Sequence, residues 1–111
     1  MTDDEHIFLA LMGYVFLQNA RPDKAAVMFS ALDTLQPAVP RVLRGLALAQ
    51  LRSDKPQRAL DTLDRLAMAG GVDASFHLLR AQALGALARD EEAAQAMKTF
   101  VHLRGEAVKP A

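Results

Sequence analysis

The sequence contains no cysteine, and aromatic residues make up only 5% of the chain. Without cysteine there is no disulfide framework, no thiolate zinc site and no thiol nucleophile. No apolar run approaches the roughly 20 residues that cross a bilayer. The acidic segment 2–5 stands where a secretory signal would be basic. These absences predict a cytoplasmic chain that does not insert into membranes.

The chain also lacks an excess of either charge, because 13 Lys and Arg residues balance 13 Asp and Glu residues. A protein that neutralises many phosphates needs a clear basic excess, so general nucleic-acid binding is disfavoured. With 111 residues, the chain is long enough for one core and too short for two independent ones. Abundant alanine and leucine beside few aromatics favours close-packed helices over sheets.

A repeat of 34 residues runs through the chain, and five columns keep their residue class at this step. The columns are Gly13, Ala47 and Ala81; Ala25, Ala59 and Ala93; Phe29, Leu63 and Met97; Pro22 and Pro56 with Asp90; and Arg21, Lys55 and Arg89. Small residues midway along a first helix and early in a second let two backbones approach closely. Proline suits the first position of a helix. The period therefore predicts a helix–turn–helix unit used three times.

The same pattern predicts six helices, at about residues 4–19, 22–35, 40–52, 56–69, 74–88 and 90–103. Thr2 and Glu5 have the spacing of a capping box at the start of the first helix. Gly70 and Gly71 are expected to end the fourth helix. We expect one three-repeat domain over residues 1–107 and a flexible tail at 108–111, with fraying from residue 104 onwards.

No group of residues in the sequence indicates catalysis. His6, His77 and His102 are not spaced as ligands on one helix and lack supporting carboxylates, so no metal site is predicted. Asp61 and Asp64 share one helical turn and are interpreted as part of an exposed face. The sequence has neither a glycine-rich phosphate loop nor a nucleophile elbow. We therefore expect a binding protein without a cofactor rather than an enzyme.

The period and its columns resemble the tetratricopeptide repeat over residues 6–107. The first repeat matches the signature best, through Leu9, Met12, Gly13, Phe16, Ala25, Phe29, Leu32 and Pro37. In the second and third repeats, Gly71 and Gly105 replace the terminal proline. The resemblance implies an all-α fold of three tandem helix–turn–helix repeats that form a short right-handed α-solenoid.

In this family the first helices of the repeats line a concave groove, which usually binds an extended or helical peptide. The groove columns hold Ile7, Ala10, Tyr14, Leu17, Arg41, Arg44, Leu48, Leu51, Leu78 and Gln82 here. This mainly apolar set suits an amphipathic helix or an apolar strand of a partner. Some family members clamp a terminal carboxylate with Lys and Asn. In this chain the clamp columns hold Ala10, Tyr14, Gly45, Ser75 and Leu79. That clamp is therefore not expected in this chain. The alternative interpretation of several apolar residues in the groove columns is that they belong to the core.

The basic residues between Arg41 and Arg58 allow two interpretations. Five cations stand in this stretch against Asp54 alone. They form either a solvated face with cations at helix ends or a patch for an acidic partner surface. Arg41 and Arg44 lie three residues apart and therefore share one helix face. We expect this pair to steer or contact acidic residues of the partner.

Further residues resemble a smaller group of proteins within the tetratricopeptide repeat family. They are Phe8 to Tyr14, then Ala25, Leu32 to Leu35, Pro37, Arg41 and Arg44, and finally Arg80, Ala81, Gln82, Leu84 and Gly85. Together they resemble the small tetratricopeptide chaperones of bacterial type III secretion, most of all the YscY-type. Phe76 and His77 depart from that family, which tends to place a tryptophan there.

This closer resemblance implies a cytoplasmic bacterial chaperone that is non-catalytic and independent of ATP. It implies a heterodimer with a small, early secreted export protein, and the cytosolic domain of the export gate as a second partner. Two alternatives stay open: the needle-subunit chaperone of the same secretion systems, and a generic tetratricopeptide adaptor or oligomerisation scaffold. We expect the partner on the concave face, while the convex side or the ends of the array are the alternative.

Overall fold

The computed structural model describes residues 2–108, in which six α-helices are joined by short turns. The helices are α1 (Asp3–Gln18), α2 (Pro22–Leu35), α3 (Pro40–Arg52), α4 (Pro56–Met68), α5 (Ala74–Ala86) and α6 (Asp90–Val108). Each helix packs on its neighbours in sequence, and α3 also contacts α1 and α5. The described residues contain no strand. Within the same range no helix is long and apolar enough to cross a membrane. The predicted all-α array of three helix pairs is confirmed.

The starts of the helices follow from their first residues. Pro22, Pro40 and Pro56 occupy first positions, where the missing N–H leaves no hydrogen bond unmade. The hydroxyl of Thr2 accepts a hydrogen bond of 3.2 Å from the backbone N–H of Glu5, as the capping-box spacing predicts. Five of the six predicted starts are confirmed to the residue, and α1 begins one residue earlier than expected.

The turns within the helix pairs repeat one backbone conformation. Ala20, Asp54 and Ala88 lie 34 residues apart and have φ of 56, 60 and 58°. In each turn the next backbone N–H donates to the carbonyl oxygen five residues before it, at 2.8, 2.9 and 2.9 Å. This bond closes the end of a helix in the Schellman motif. Gly70 adopts the same left-handed region after α4, with φ of 83°.

The last helix differs from its prediction. α6 continues to Val108, five residues beyond the expected end at residue 103. A glycine inside a helix costs about 1 kcal/mol relative to alanine, but it keeps its backbone N–H, so Gly105 does not end the helix. The predicted fraying from residue 104 is therefore wrong for residues 104–108. Residues 109–111 of the expected tail lie outside the described range.

The core divides into two clusters of buried side chains. The N-terminal cluster, between α1, α2 and α3, comprises Ala10, Leu17, Ala25, Phe29, Leu32, Val42, Leu46 and Ala49. The C-terminal cluster is built on α3 to α6. It comprises Leu43, Ala47, Ala59, Leu60, Leu63, Leu66, Phe76, Leu79, Ala81, Ala83, Leu84 and Ala96. Small residues of the repeat columns lie in both clusters, Ala25 in the N-terminal one and Ala47, Ala59 and Ala81 in the C-terminal one, which agrees with their predicted role in close helix packing.

Phe29 occupies the centre of the N-terminal cluster and is completely buried. A Cβ added to Gly13 of α1 would lie 2.6 Å from Cζ of this ring, and a Cβ added to Gly45 of α3 would lie 2.5 Å from the same atom. Such distances are shorter than any ordinary van der Waals contact. The two glycines therefore make room for the ring between α1 and α3.

An ion pair connects the second helices of the first two repeats. Arg65 of α4 donates from Nη1 and Nη2 to the two carboxylate oxygens of Asp33 in α2, at 2.7 and 2.9 Å. The backbone N–H of Ala38 donates to the same carboxylate at 3.1 Å. The hydrogen bonds from Arg65, and secondarily that from Ala38, hold the pKa of Asp33 below its usual value.

Candidate functional site

A groove of about 660 Å³ opens along the first helices of the three repeats. Its lining residues are Tyr14, Arg44, Leu48, Leu51, Arg52, Ser75, Leu78, Leu79, Gln82 and Ala86. Six of the ten residues that the sequence analysis placed in the groove meet here: Tyr14, Arg44, Leu48, Leu51, Leu78 and Gln82. Most of the lining is apolar, and the two arginines supply positive charge.

The other four predicted residues lie elsewhere. Ala10 and Leu17 are buried in the N-terminal cluster, so these two side chains belong to the core and do not reach the groove surface. Ile7 is exposed on α1 outside the groove lining. Arg41 is exposed beside Tyr14, and one of its guanidinium nitrogens lies 3.5 Å from Nδ1 of the buried His6.

Four lining residues were missed as candidate binding residues: Arg52, Ser75, Leu79 and Ala86. The sequence carried a signal for three of them. Ser75 lies 34 residues after the predicted Arg41. Arg52 follows Leu48 by four residues, which places both on one face of α3. Ala86 is in turn the counterpart of Arg52 in the next repeat.

Tyr14 forms a fixed part of the groove wall. Its ring meets that of Phe29 edge to face, with centroids 5.0 Å apart and planes at 71°. Its hydroxyl donates a hydrogen bond of 3.0 Å to the backbone carbonyl of Arg41. Burial raises the pKa of Tyr14, against the smaller opposing effect of the Arg44 and Arg41 charges. The phenol is therefore protonated and remains a donor at neutral pH.

Arg44 is already paired within the chain. Its Nη2 lies 3.2 Å from a carboxylate oxygen of Asp73 and also donates to the carbonyl of Gly71 at 3.3 Å. Burial raises the pKa of Asp73, but the N–H of Phe76, hydrogen bonds from Ser75 and the charge of Arg44 together lower it below its usual value. Asp73 therefore stays ionised and compensates part of the Arg44 charge at the rim of the groove.

The basic stretch from Arg41 to Arg58 does not form one patch. Arg44 and Arg52 line the groove, whereas Lys55 and Arg58 line a depression between α2, α3 and α4. The α3 residues of that depression include Leu46 and Gln50, which project from the side of the helix opposite Leu48. The cations thus divide between two faces, and only those on the groove face can meet a ligand in the groove.

Comparisons with known proteins agree with this architecture. The model of the tetratricopeptide repeat family matches residues 16–83, which is more than half of the chain. Among solved structures, the chain is similar to the second tetratricopeptide repeat domain of Spaghetti (RPAP3) bound to the HSP90 peptide SRMEEVD. The TM-score is 0.80 at 19% sequence identity, with 88% of this chain and 91% of that chain covered. No curated protein gives a significant sequence match.

Proposed function

The chain belongs to the tetratricopeptide repeat family, and we propose that it is a non-catalytic binding module that holds a segment of a partner protein in its concave groove. The observation that carries the proposal is the open groove of about 660 Å³ along α1, α3 and α5. Because packed helices form its walls, a partner can dock without a large cost for ordering the site. The family fold serves protein binding, and nothing in the groove lining resembles a catalytic constellation.

The lining favours an amphipathic segment as the ligand. Leu48 and Leu51 on α3 face Leu78 on α5 across the same groove, and these side chains would cover one apolar stripe of a helix or strand. Arg52 adds an exposed cation to the lining. An acidic residue beside the apolar stripe of the ligand would complement the charge of Arg52. This pairing would mainly affect the association rate and its dependence on salt.

The peptide bound to the structural neighbour is a poorer guide to the ligand of this chain than an amphipathic segment. The peptide SRMEEVD bound to Spaghetti carries several carboxylates. In this chain the columns that clamp a terminal carboxylate in some family members hold Ala10, Tyr14, Gly45, Ser75 and Leu79. None of these side chains supplies the positive charge or the amide that such a clamp needs. An apolar segment is therefore the better candidate than an acidic C-terminus.

We propose more specifically a cytoplasmic chaperone of bacterial type III secretion, similar to the YscY-type. Support comes from the residues that resemble that family and from the apolar groove. A small export protein kept partly unfolded before secretion exposes apolar segments that aggregate, and a preformed groove covers them without ATP. The partner would be such an export protein in a heterodimer. The convex surface stays free for a second partner, the cytosolic domain of the export gate.

Affinity capture of the tagged chain in its native host, followed by identification of the partner, tests this proposal. An early secreted export protein supports the YscY-type function, and a needle subunit supports the alternative chaperone. A partner unrelated to secretion leaves the generic adaptor function. Absence of any stoichiometric partner contradicts the proposed function itself.

A pair of matched variants then locates the binding surface. Leu78→Asp places a charge in the groove lining and should lower partner affinity at least about tenfold, because an unpaired charge would be buried in the complex. Met68→Asp is the control, since Met68 is 89% exposed outside the groove and should retain the affinity of the wild type. Both variants should keep their helical circular dichroism. Equal affinities in the two variants would move the binding site away from the groove.

A further inference from the structure

The outer face of α1 is apolar and exposed, and the groove does not account for it. Phe8, Leu11 and Val15 are 61%, 58% and 41% exposed. Their spacing of three and four residues places them on one side of the helix. A contiguous apolar face of this kind marks an interaction surface.

The internal repeat shows what this face is shaped to contact. The residues 34 positions later are buried in α3, where α2 packs: Val42, Gly45 and Ala49. The residues 68 positions later are buried in α5, where α4 packs: Phe76, Leu79 and Ala83. In both junctions this face of a first helix receives the second helix of the preceding repeat. Within residues 2–108 no helix covers the same face of α1.

The complementary face is exposed at the other end of the array. Phe29 and Leu63, on α2 and α4, are completely buried at the junctions with the following repeat. Their counterpart on α6 is Met97, which is 39% exposed, and the nearby Val101 is 59% exposed. α6 therefore presents the face that α2 and α4 use to cover a first helix.

The charges beside the two faces are opposite. Asp4 and Glu5 line one shallow depression together with Phe8 on α1. Lys98 and His102 line another together with exposed apolar side chains of α6. Helices joined by a short turn are antiparallel, so α6 placed on α1 as α2 lies on α3 would bring its C-terminal half to the acidic first turn of α1. In the junction of α2 and α3, Asp33 accepts a hydrogen bond from the N–H of Ala38, and the counterparts of these two residues are Val101 and Asp4. His102, next to Val101, would therefore approach the carboxylates of Asp4 and Glu5, whereas Lys98 lies about one turn farther from them along α6.

We propose that a second copy of this chain packs its α6 on the α1 of the first, in the geometry that α2 has on α3 and α4 has on α5. The contact is heterologous and does not close on itself, so further copies would extend the array. Each copy contributes only a few large apolar side chains, which makes the association weak and dependent on concentration. The groove lies on another face of the array and stays open, so self-association is independent of the proposed partner binding.

Sedimentation equilibrium of the purified chain between about 10 µM and about 1 mM tests the proposal. The weight-average mass should rise with concentration and fall when salt screens the opposite charges. Leu11→Glu places a charge on the α1 face, and Val101→Glu places one on the α6 face. Each variant alone should stay monomeric, because one of the two faces that form the contact is blocked in every copy. Both substituted residues are more than half exposed, so the fold should be retained, with circular dichroism as the check.

An equimolar mixture of the two variants gives the decisive result. The Leu11→Glu variant keeps an unaltered α6 face, and the Val101→Glu variant keeps an unaltered α1 face. The mixture should therefore form one-to-one dimers and nothing larger. Met68→Glu is the control, because Met68 lies on α4, which packs on neither α1 nor α6, and this variant should associate like the wild type. A monomeric wild type at every concentration, a self-associating Val101→Glu variant, or a mixture that stays monomeric would each overturn the proposal. The groove variant Leu78→Asp should still associate, which separates this proposal from the proposed function.

Discussion

The N-terminal and C-terminal clusters use the same repeat columns with different side chains. The column of Phe29 in α2 holds Leu63 in α4, and the column of Gly13 in α1 holds Ala47 in α3. Phe29 and Leu63 are both completely buried. A larger side chain on the second helix is therefore matched by a smaller one on the first. The repeat preserves the summed volume of the contact rather than its individual residues, as close-packed interiors require.

The largest difference between the clusters should appear when the central side chain is removed. We expect Phe29→Ala to lower the free energy of unfolding by about 3–5 kcal/mol, and Leu63→Ala by about 2–4 kcal/mol. The ring of Phe29 lies against two glycines that have no side chains to fill the space it leaves. Urea denaturation measures both values, with the exposed Val27→Ala as control. A smaller loss for Phe29→Ala than for Leu63→Ala would contradict this comparison.

A double variant can convert the first contact into the second. Gly13→Ala alone should cost about 1–2 kcal/mol, because its Cβ would lie 2.6 Å from the Phe29 ring and the overlap exceeds the gain in helix propensity. In a Phe29→Leu background, which reproduces the pair Ala47 and Leu63, the same substitution should stabilise the chain by up to about 1 kcal/mol. The sign of the Gly13→Ala effect should therefore reverse between the two backgrounds.

Thermal and urea unfolding of the four chains in this cycle provide the measurement. Ala47→Gly in the C-terminal cluster is the matched control, and it should destabilise the chain because it removes a buried methyl group and lowers helix propensity. If Gly13→Ala has the same sign in both backgrounds, the ring of Phe29 is not what requires glycine at this position.

The sequence predicted the helices well because their boundaries depend on local chemistry. Pro22 and Pro56 fix the starts of two helices, and the small columns fix which faces pack. The predicted end of α6 at residue 103 was wrong, because residues 104 onwards were expected to fray although Gly105 only weakens a helix and does not end it. Gly45 was not predicted to contact Phe29, because that contact depends on how α3 crosses α2 and not on the spacing within either helix.

The candidate site was less accessible to sequence reasoning. Ala10 and Leu17 were assigned to the groove by their columns, but both are buried in the N-terminal cluster with side chains of α2 and α3. The pairing of Arg44 with Asp73 joins residues 29 positions apart and depends on the path of the turn before α5. The face of a helix on which a residue lies can be predicted from the spacing of residues in the sequence. Contacts between a helix and a distant turn require the tertiary structure.

The ion pair between Asp33 and Arg65 links the two halves of the array and should contribute a smaller amount. Asp33→Asn keeps an oxygen for the N–H of Ala38 but removes the charge, and should cost about 1 kcal/mol at neutral pH because Arg65 is partly exposed. The pKa of Asp33 is lowered in the folded chain. Its contribution is therefore complete above the ordinary carboxyl pKa of about 3.9 and is lost as pH falls through the folded value.

Urea denaturation of wild type and Asp33→Asn between neutral pH and about pH 3 checks this sign. The difference in unfolding free energy should shrink towards acid as the wild-type carboxylate becomes protonated. Asp61→Asn, at an exposed position of α4, is the control and should show little change at any pH. A difference that grows on acidification would mean that the charge of Asp33 does not stabilise the fold.

The smallest predicted effects are at the turns, where the two halves of the array have the same backbone. Ala20 and Ala88 both have φ in the left-handed region, which costs a residue with a Cβ about 1–2 kcal/mol. Glycine removes that strain but increases the entropy of the unfolded chain, so Ala20→Gly and Ala88→Gly should each stabilise by about 0.5 kcal/mol. Ala94→Gly, at an exposed position within α6, should instead cost about 1 kcal/mol. Melting temperatures of the three variants distinguish these signs. Equal increases in melting temperature for Ala20→Gly and Ala88→Gly would show that the two turns are equivalent although the clusters beside them differ. A decrease for either variant would mean that the methyl group of that alanine makes a stabilising contact.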